Sequence, residues 1–191
     1  MKITPLNIPD VIAIEPDLYE DKRGFFFESF NQEKFNRLID QEIIFVQDNH
    51  SKSKKGVVRG LHYQKEPFAQ GKLVRVIIGE IFDVAVDIRK DSTSFGKWVS
   101  MNLSAENKKQ LWIPEGFAHG FLALSEDVEI IYKTTQFYSK QHEKIIKFND
   151  NELNIQWPTM EEYILSNEDR NADFFQHAIF EENSKKQKDT F

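Results

Sequence analysis

The sequence predicts an all-β fold, an antiparallel sandwich or barrel with a few short helices. Three observations carry this. The 191 residues hold 17 Phe against 3 Met, and aromatic residues among many Val and Ile favour sheet over helix. From Ile43 onward, short apolar runs recur at close intervals with turn residues between them, the pattern of stacked or closed antiparallel sheets. Where a run is long enough to test, as in Ile81 to Arg89, it alternates with a period of two. A chain of 22.5 kDa with 40% hydrophobic residues suits one domain with its own core, spanning residues 1–191. The charged stretch Glu181 to Phe191 is expected to be a mobile tail.

The elements follow in order. Asp21-Lys-Arg-Gly-Phe-Phe-Phe-Glu28 reads as a turn leading into a strand. Gln32 to Gln41 places Phe35, Leu38 and Ile39 at helical spacing, with Asn31 or Ser29 as the cap. If Val57 to Gln64 is extended, Arg59, Leu61 and Tyr63 face one way and Val58, Gly60, His62 and Gln64 the other; a bulge at Gly60 would change that. Lys72 to Ile78, the pair Gly79-Glu80, and Ile81 to Arg89 read as a hairpin. Its second strand puts Ile81, Asp83, Ala85 and Asp87 on one face and Phe82, Val84, Val86 and Ile88 on the other. Trp98 to Leu103, Gln110 to Ile113, His119 to Leu124 and Val128 to Thr135 continue the series. Tyr132 and Tyr138, six apart, share a face if that last strand is continuous. From Asn149 the chain turns polar and irregular, anchored by Leu153, Ile155, Trp157 and Pro158.

Composition removes several function classes. With no Cys there is no disulfide framework, thiolate nucleophile or thiolate-bound zinc, and a reducing cytoplasm is the expected location. Met1 to Asp10 has no apolar signal core, and no apolar run reaches membrane-spanning length. A net charge of −6 argues against a nucleic-acid surface but leaves room for a small anion in a locally basic cleft.

The chemistry points to proton transfer without a metal. His62 and His119 each lack a second histidine two or four residues away, so neither is half of a transition-metal motif. A histidine titrates near neutrality, at about 6.5 when unperturbed, and suits proton carriage; a lone strand histidine can equally be structural. Lys72, at the start of a strand after Gln70-Gly, could steady an oxyanion or bind a phosphate. Arg23 and Glu28 either enter a ligand cleft or remain solvated turn charges. The amides in Gln47-Asp-Asn49 either read a base edge or sugar hydroxyls, or form an Asx loop. Tyr132 and Tyr138 could donate a proton or stack on a ring, or be core aromatics.

Pro114-x-Gly-x-x-His119 resembles the second motif of the cupin β-barrels. In place of the metal-binding His-x-His of the first motif stands His62-Tyr63-Gln64. From about Asp21 to Trp157 the chain resembles the dTDP-4-dehydrorhamnose 3,5-epimerases, a metal-free cupin family. The resemblance rests on ordered blocks: Asp21-x-Arg-Gly-x-Phe-x-Glu28, Gln47-Asp-Asn-His-Ser51, Val57-x-Arg-Gly-Leu-His-Tyr-Gln64, Gln70-x-Lys-Leu-Val-Arg75, Asp87-Ile-Arg with the turn to Gly96, the Pro114 to Phe121 motif, and Trp157-Pro158. It implies a cupin-type jelly roll and no cofactor. The implied reaction inverts C3 and C5 of dTDP-4-keto-6-deoxyglucose through an enolate, within dTDP-L-rhamnose biosynthesis.

Carried over by motif, His62 is the base, Tyr132 the acid and Lys72 the oxyanion partner. Asp169, in Ser166-Asn-Glu-Asp, orients His62; Asp83 is the rival for that place. Arg23, Phe25, Glu28, Gln47, Asn49, Arg59, His119 and Glu143 hold the substrate, and Tyr138 stacks on the thymine. Two positions depart from the family pattern: Glu143 stands where Asp is usual, and Glu168 where Lys is usual. The family also implies a homodimer exchanging N-terminal strands, for which Val11 to Ile14 and Phe25 to Phe27 are apolar enough to pair with a partner sheet. The alternatives are a single-centre epimerase of a related deoxysugar pathway and a non-catalytic sugar-nucleotide-binding cupin.

Overall fold

The computed structural model describes residues 1–177; the tail expected at 181–191 lies outside them. Near the N-terminus lie strands β1 (Lys2–Pro5), β2 (Ile12–Glu15), β3 (Tyr19–Asp21) and β4 (Gly24–Phe26), then helix α1 (Gln32–Ile39). There follow β5 (Gln47–Lys54), β6 (Val58–Gln64), β7 (Lys72–Ile78), β8 (Glu80–Asp87), β9 (Trp98–Ser104), β10 (Gln110–Ile113), β11 (Phe117–Ala123), β12 (Asp127–Thr134) and β13 (Glu143–Ile145). A short helix α2 (Asn167–Arg170) and a 3-10 turn (Phe175–His177) complete the described residues.

These strands form a 6-stranded sheet, β1-β2-β10-β7-β12-β5, and a 5-stranded sheet, β13-β6-β11-β8-β9, while β3 and β4 form a separate hairpin. All named pairings are antiparallel. The architecture is a double-sheet jelly roll.

The alternation read from the sequence decides what each sheet buries. Between the sheets, Val74 and Val76 of β7 meet Ile81 and Ala85 of β8, with Leu111, Ile113, Phe121 and Ile130. On the outer face of the 5-stranded sheet, Val84, Val86 and Ala118 are covered by Leu153, Ile155 and Phe175 from the C-terminal segment. The anchors predicted there therefore act as a cover for one sheet. Helix α1 covers the outer face of the other, packing Phe35 and Ile39 on Ile14, Leu73 and Trp112. Of the two caps considered, Asn31 takes the role: its side chain accepts from the Lys34 N–H at 3.0 Å.

Three expectations are overturned. β7 and β8 do not form a hairpin: they lie in different sheets. Gly79, at φ +77°, carries the chain across, and a Cβ there would meet the Asp127 carbonyl. The strand bearing Tyr132 ends at Thr134, so Tyr138 is not on it. Val11 to Ile14 is not a free edge: Val11 is fully buried, and Ile12–Glu15 pairs with β1 and β10 of its own chain.

Candidate active site

The site lies at the polar end of the space between the sheets, and a bulge in β6 organises it. His62 pairs with His119, yet Arg59 pairs with Phe121, so β6 holds one residue more than β11 between these partners. The inward faces of His119 and Phe121 therefore take both His62 and Arg59. Strict alternation would have placed Arg59 outside with Leu61 and Tyr63; the bulge foreseen at Gly60 reverses it. Gly60 has φ +116°, and a Cβ there would stand 2.6 Å from the Gly120 Cα and the His119 carbonyl. Only glycine fits this crossing without strain.

His62 then meets a carboxylate from far along the chain. Its Nε2 lies 2.6 Å from Asp169 Oδ1. Asp169 is buried, accepts from the Gly60 N–H at 3.3 Å, and takes the Ser166 hydroxyl at 2.9 Å. Burial alone would raise the Asp169 pKa; the His62 contact, Ser166 and the Gly60 N–H outweigh it and hold the carboxyl below its usual range. An ionised Asp169 accepts the Nε2 proton, which leaves Nδ1 of His62 as the basic nitrogen. Asp83, the rival, lies elsewhere: both its oxygens sit 3.0 Å from Nε2 of His119. Burial lowers the His119 pKa, opposed by Asp83 and reinforced by Lys72 and His62.

The opposite sheet supplies the other groups. Lys72, buried, reaches from β7 to the His62 carbonyl at 3.4 Å. Burial lowers its pKa to about 8, against the pull of Asp83 and Glu143. Tyr132 on β12 faces inward, and burial raises its pKa, which keeps the phenol protonated. His62, Lys72, Tyr132, Gln47, Asn49, Tyr138 and Glu143 line one pocket of about 120 Å³, with Tyr63, Gln64 and Gln70. Tyr138 enters it from a loop, its hydroxyl donating to Glu143 at 2.7 Å, a bond that pushes its pKa up to about 12. Arg59 is exposed and does not line the pocket; the Ser53 hydroxyl and the Lys52 carbonyl hold its guanidinium, each at 3.0 Å. Glu168 lies exposed on α2, next to the inward-facing Asp169.

His119, Arg23, Phe25 and Glu28 are not among the residues lining this pocket. Arg23 is exposed and pairs with Asp21, Phe25 projects from the β3–β4 hairpin, and Glu28 binds Lys34 and Asn31. Gln64 and Gln70, which line the pocket, were not singled out from the sequence. Uncharged amides carry little signal there, and only the His-Tyr-Gln and Gln-Gly-Lys blocks pointed near them. Among the described residues, no group of three or more His, Asp or Glu is placed to hold a metal ion, and no helix is long and apolar enough to cross a membrane.

Comparison with known proteins identifies one family. The family model described as dTDP-4-dehydrorhamnose 3,5-epimerase matches residues 5–177. The dTDP-4-dehydrorhamnose 3,5-epimerase of Shigella flexneri is 58% identical over 94% of this chain and 99% of its own length. That of Salmonella typhimurium is 57% identical over 95% and 100%. The Legionella pneumophila epimerase, solved with dTDP-4-keto-L-rhamnose, superposes with a TM-score of 0.90 at 48% identity, over 92% of this chain and 93% of that one. With a cupin-type jelly roll, a family model over most of its length and relatives more than half identical, the chain belongs to the dTDP-4-dehydrorhamnose 3,5-epimerase family, whose members are isomerases.

Proposed function

We propose that this pocket performs the family's reaction with His62 as base and Tyr132 as acid. The carrying observation is that the two groups line one pocket from opposite sheets, His62 on β6 and Tyr132 on β12. Inversion requires that a proton leave one face of a carbon and arrive on the other, and groups on facing walls meet that demand.

The 4-keto group acidifies the C–H bonds at C3 and C5. Nδ1 of His62 takes the proton, the C–H electron pair forms the enolate, and negative charge gathers on O4. Lys72 stabilises that charge; such a donor in a dry site typically contributes about 10²–10³ in rate. Tyr132 returns a proton to the opposite face, and Asp169 stabilises the imidazolium formed meanwhile. Arg59 suits the diphosphate, since its fork binds two oxygens. Gln47 and Asn49 supply donors and acceptors to the nucleotide, His119 is a further polar contact, and Tyr138 offers a face to the thymine. Glu143, holding the Tyr138 hydroxyl, keeps the role of the Asp usual in the family.

Arg23, Phe25 and Glu28 enter the reading through a homodimer. The β3–β4 hairpin exposes Tyr19, Phe25 and Phe26 by 65%, 58% and 70%, an apolar patch of the kind that seeks a partner. A second copy would receive these residues at its own pocket. Residues 1–177 are taken as one domain, because both sheets draw strands from across the chain. The cytoplasm, where nucleotide sugars are made, is the location this function implies.

The test is proton NMR of dTDP-4-keto-6-deoxyglucose with the protein in D₂O. Loss of both the C3 and C5 proton signals is the expected result. Loss of one alone would mean a single-centre epimerase, and binding without exchange would mean a non-catalytic site.

A further inference from the structure

We infer that Gln64 is a positioning residue that fixes Tyr138 for nucleotide binding; this rests on the proposed role of Tyr138. Tyr138 lies beyond the end of β12, so no strand ladder holds its backbone, and the residue is 53% exposed. Gln47 accepts from the Tyr138 N–H at 3.1 Å; Gln64 holds the residues on either side. Its amide oxygen accepts from the Ser139 N–H at 2.6 Å, and its amide nitrogen donates to the Phe137 carbonyl at 3.1 Å. One side chain thus clasps the residues on both sides of Tyr138, as a neighbouring strand would. The same nitrogen donates to the Phe68 carbonyl at 2.7 Å, joining the loop before β7 to the loop after β12.

Gln64 is well placed for this. It is buried at 8% exposure, two residues from His62 on the same inward face of β6. Its register partner is Glu143, the acceptor of the Tyr138 hydroxyl. β6 already has ladder partners in β11 and β13, so these side-chain bonds add nothing to the sheet itself. Their effect is to hold the Tyr138 ring over the same pocket that His62 enters.

The test is Gln64→Met, similar in length but unable to form these bonds, made alone and with Tyr138→Ala. Titration calorimetry with dTDP and steady-state kinetics with dTDP-4-keto-6-deoxyglucose are the readouts. Alone, it is expected to weaken dTDP binding about tenfold, within the range of a lost base–aromatic stack. KM should rise in parallel, with kcat falling less than about threefold. With Tyr138→Ala present, the same change should alter dTDP affinity less than about twofold, because the group it positions is already gone. Unchanged dTDP affinity, or an equal loss in both backgrounds, would overturn the proposal. Gln64→Asn, polar but too short to reach the loop, replaces the methionine variant if that one does not fold. A wild-type protein that fails to bind dTDP would instead overturn the reading of the site.

Discussion

His62 Nε2 lies 2.6 Å from Asp169 Oδ1, although 107 positions separate them in sequence. The contact exists because β6 presents His62 two residues beyond Gly60, and the Gly60 N–H and Ser166 hydroxyl aim the Asp169 carboxylate at it. Asp169→Asn keeps an oxygen for the Nε2 proton and an amide for Ser166 but removes the charge that stabilises the imidazolium. kcat/KM should fall about 10²-fold or more, as expected for a weakened general base, with little change in melting temperature. A loss under about threefold would mean that Asp169 only packs.

Lys72 predicts an alkaline limit. Burial lowers its pKa to about 8, so the oxyanion partner loses its charge above that pH. kcat/KM, which reports the free enzyme, should decline as pH rises through about 8. Lys72→Arg should move that limb upward, since arginine stays charged throughout. The stability sign is opposite. Between the folded value and the ordinary lysine pKa, the unfolded chain binds more protons, so Lys72 makes the fold more stable as pH rises through that window.

Gly60 tests the bulge. An alanine there meets the Gly120 Cα and His119 carbonyl at 2.6 Å and sits at φ +116°. Backbone strain and overpacking together should cost at least about 2 kcal/mol, read from denaturant unfolding. Activity should fall as well, because Arg59 and His62 share an inward face only through this bulge. Wild-type stability in Gly60→Ala would remove the argument.

The homodimer reading predicts complementation. Arg23→Ala and His62→Ala proteins, each nearly inactive, should regain activity when unfolded and refolded together, since the mixed dimer contains one site built from unaltered residues. Sedimentation should give about twice the 22.5 kDa chain mass. An active monomer, or no recovery on mixing, would contradict the exchange.

Local pattern revealed most strands, helix α1 and the two histidine blocks, because alternation and capping are short-range signals. It failed where pairing is long-range. Gly79-Glu80 looks like a hairpin turn, yet the flanking strands belong to different sheets, and nothing within the run distinguishes the two. Spacing cannot show that the ladder stops at Thr134, short of Tyr138, or that the Gln47 and Gln64 amides hold the loop beyond it. Asp83 and Asp169 both remained possible partners of His62; the fold separates them by giving Asp83 to His119. Family blocks named most pocket residues, but not that Arg23, Phe25 and Glu28 lie away from the pocket of their own chain.

The central claim is that base and acid work from opposite walls, and Tyr132→Phe tests it most directly. The variant is incubated with dTDP-4-keto-6-deoxyglucose in D₂O, and proton NMR follows both deuterium uptake and configuration at C3 and C5. His62 should still remove protons and return deuterons to the same face, so deuterium should enter with configuration retained. Inversion at the wild-type rate in Tyr132→Phe would contradict the account.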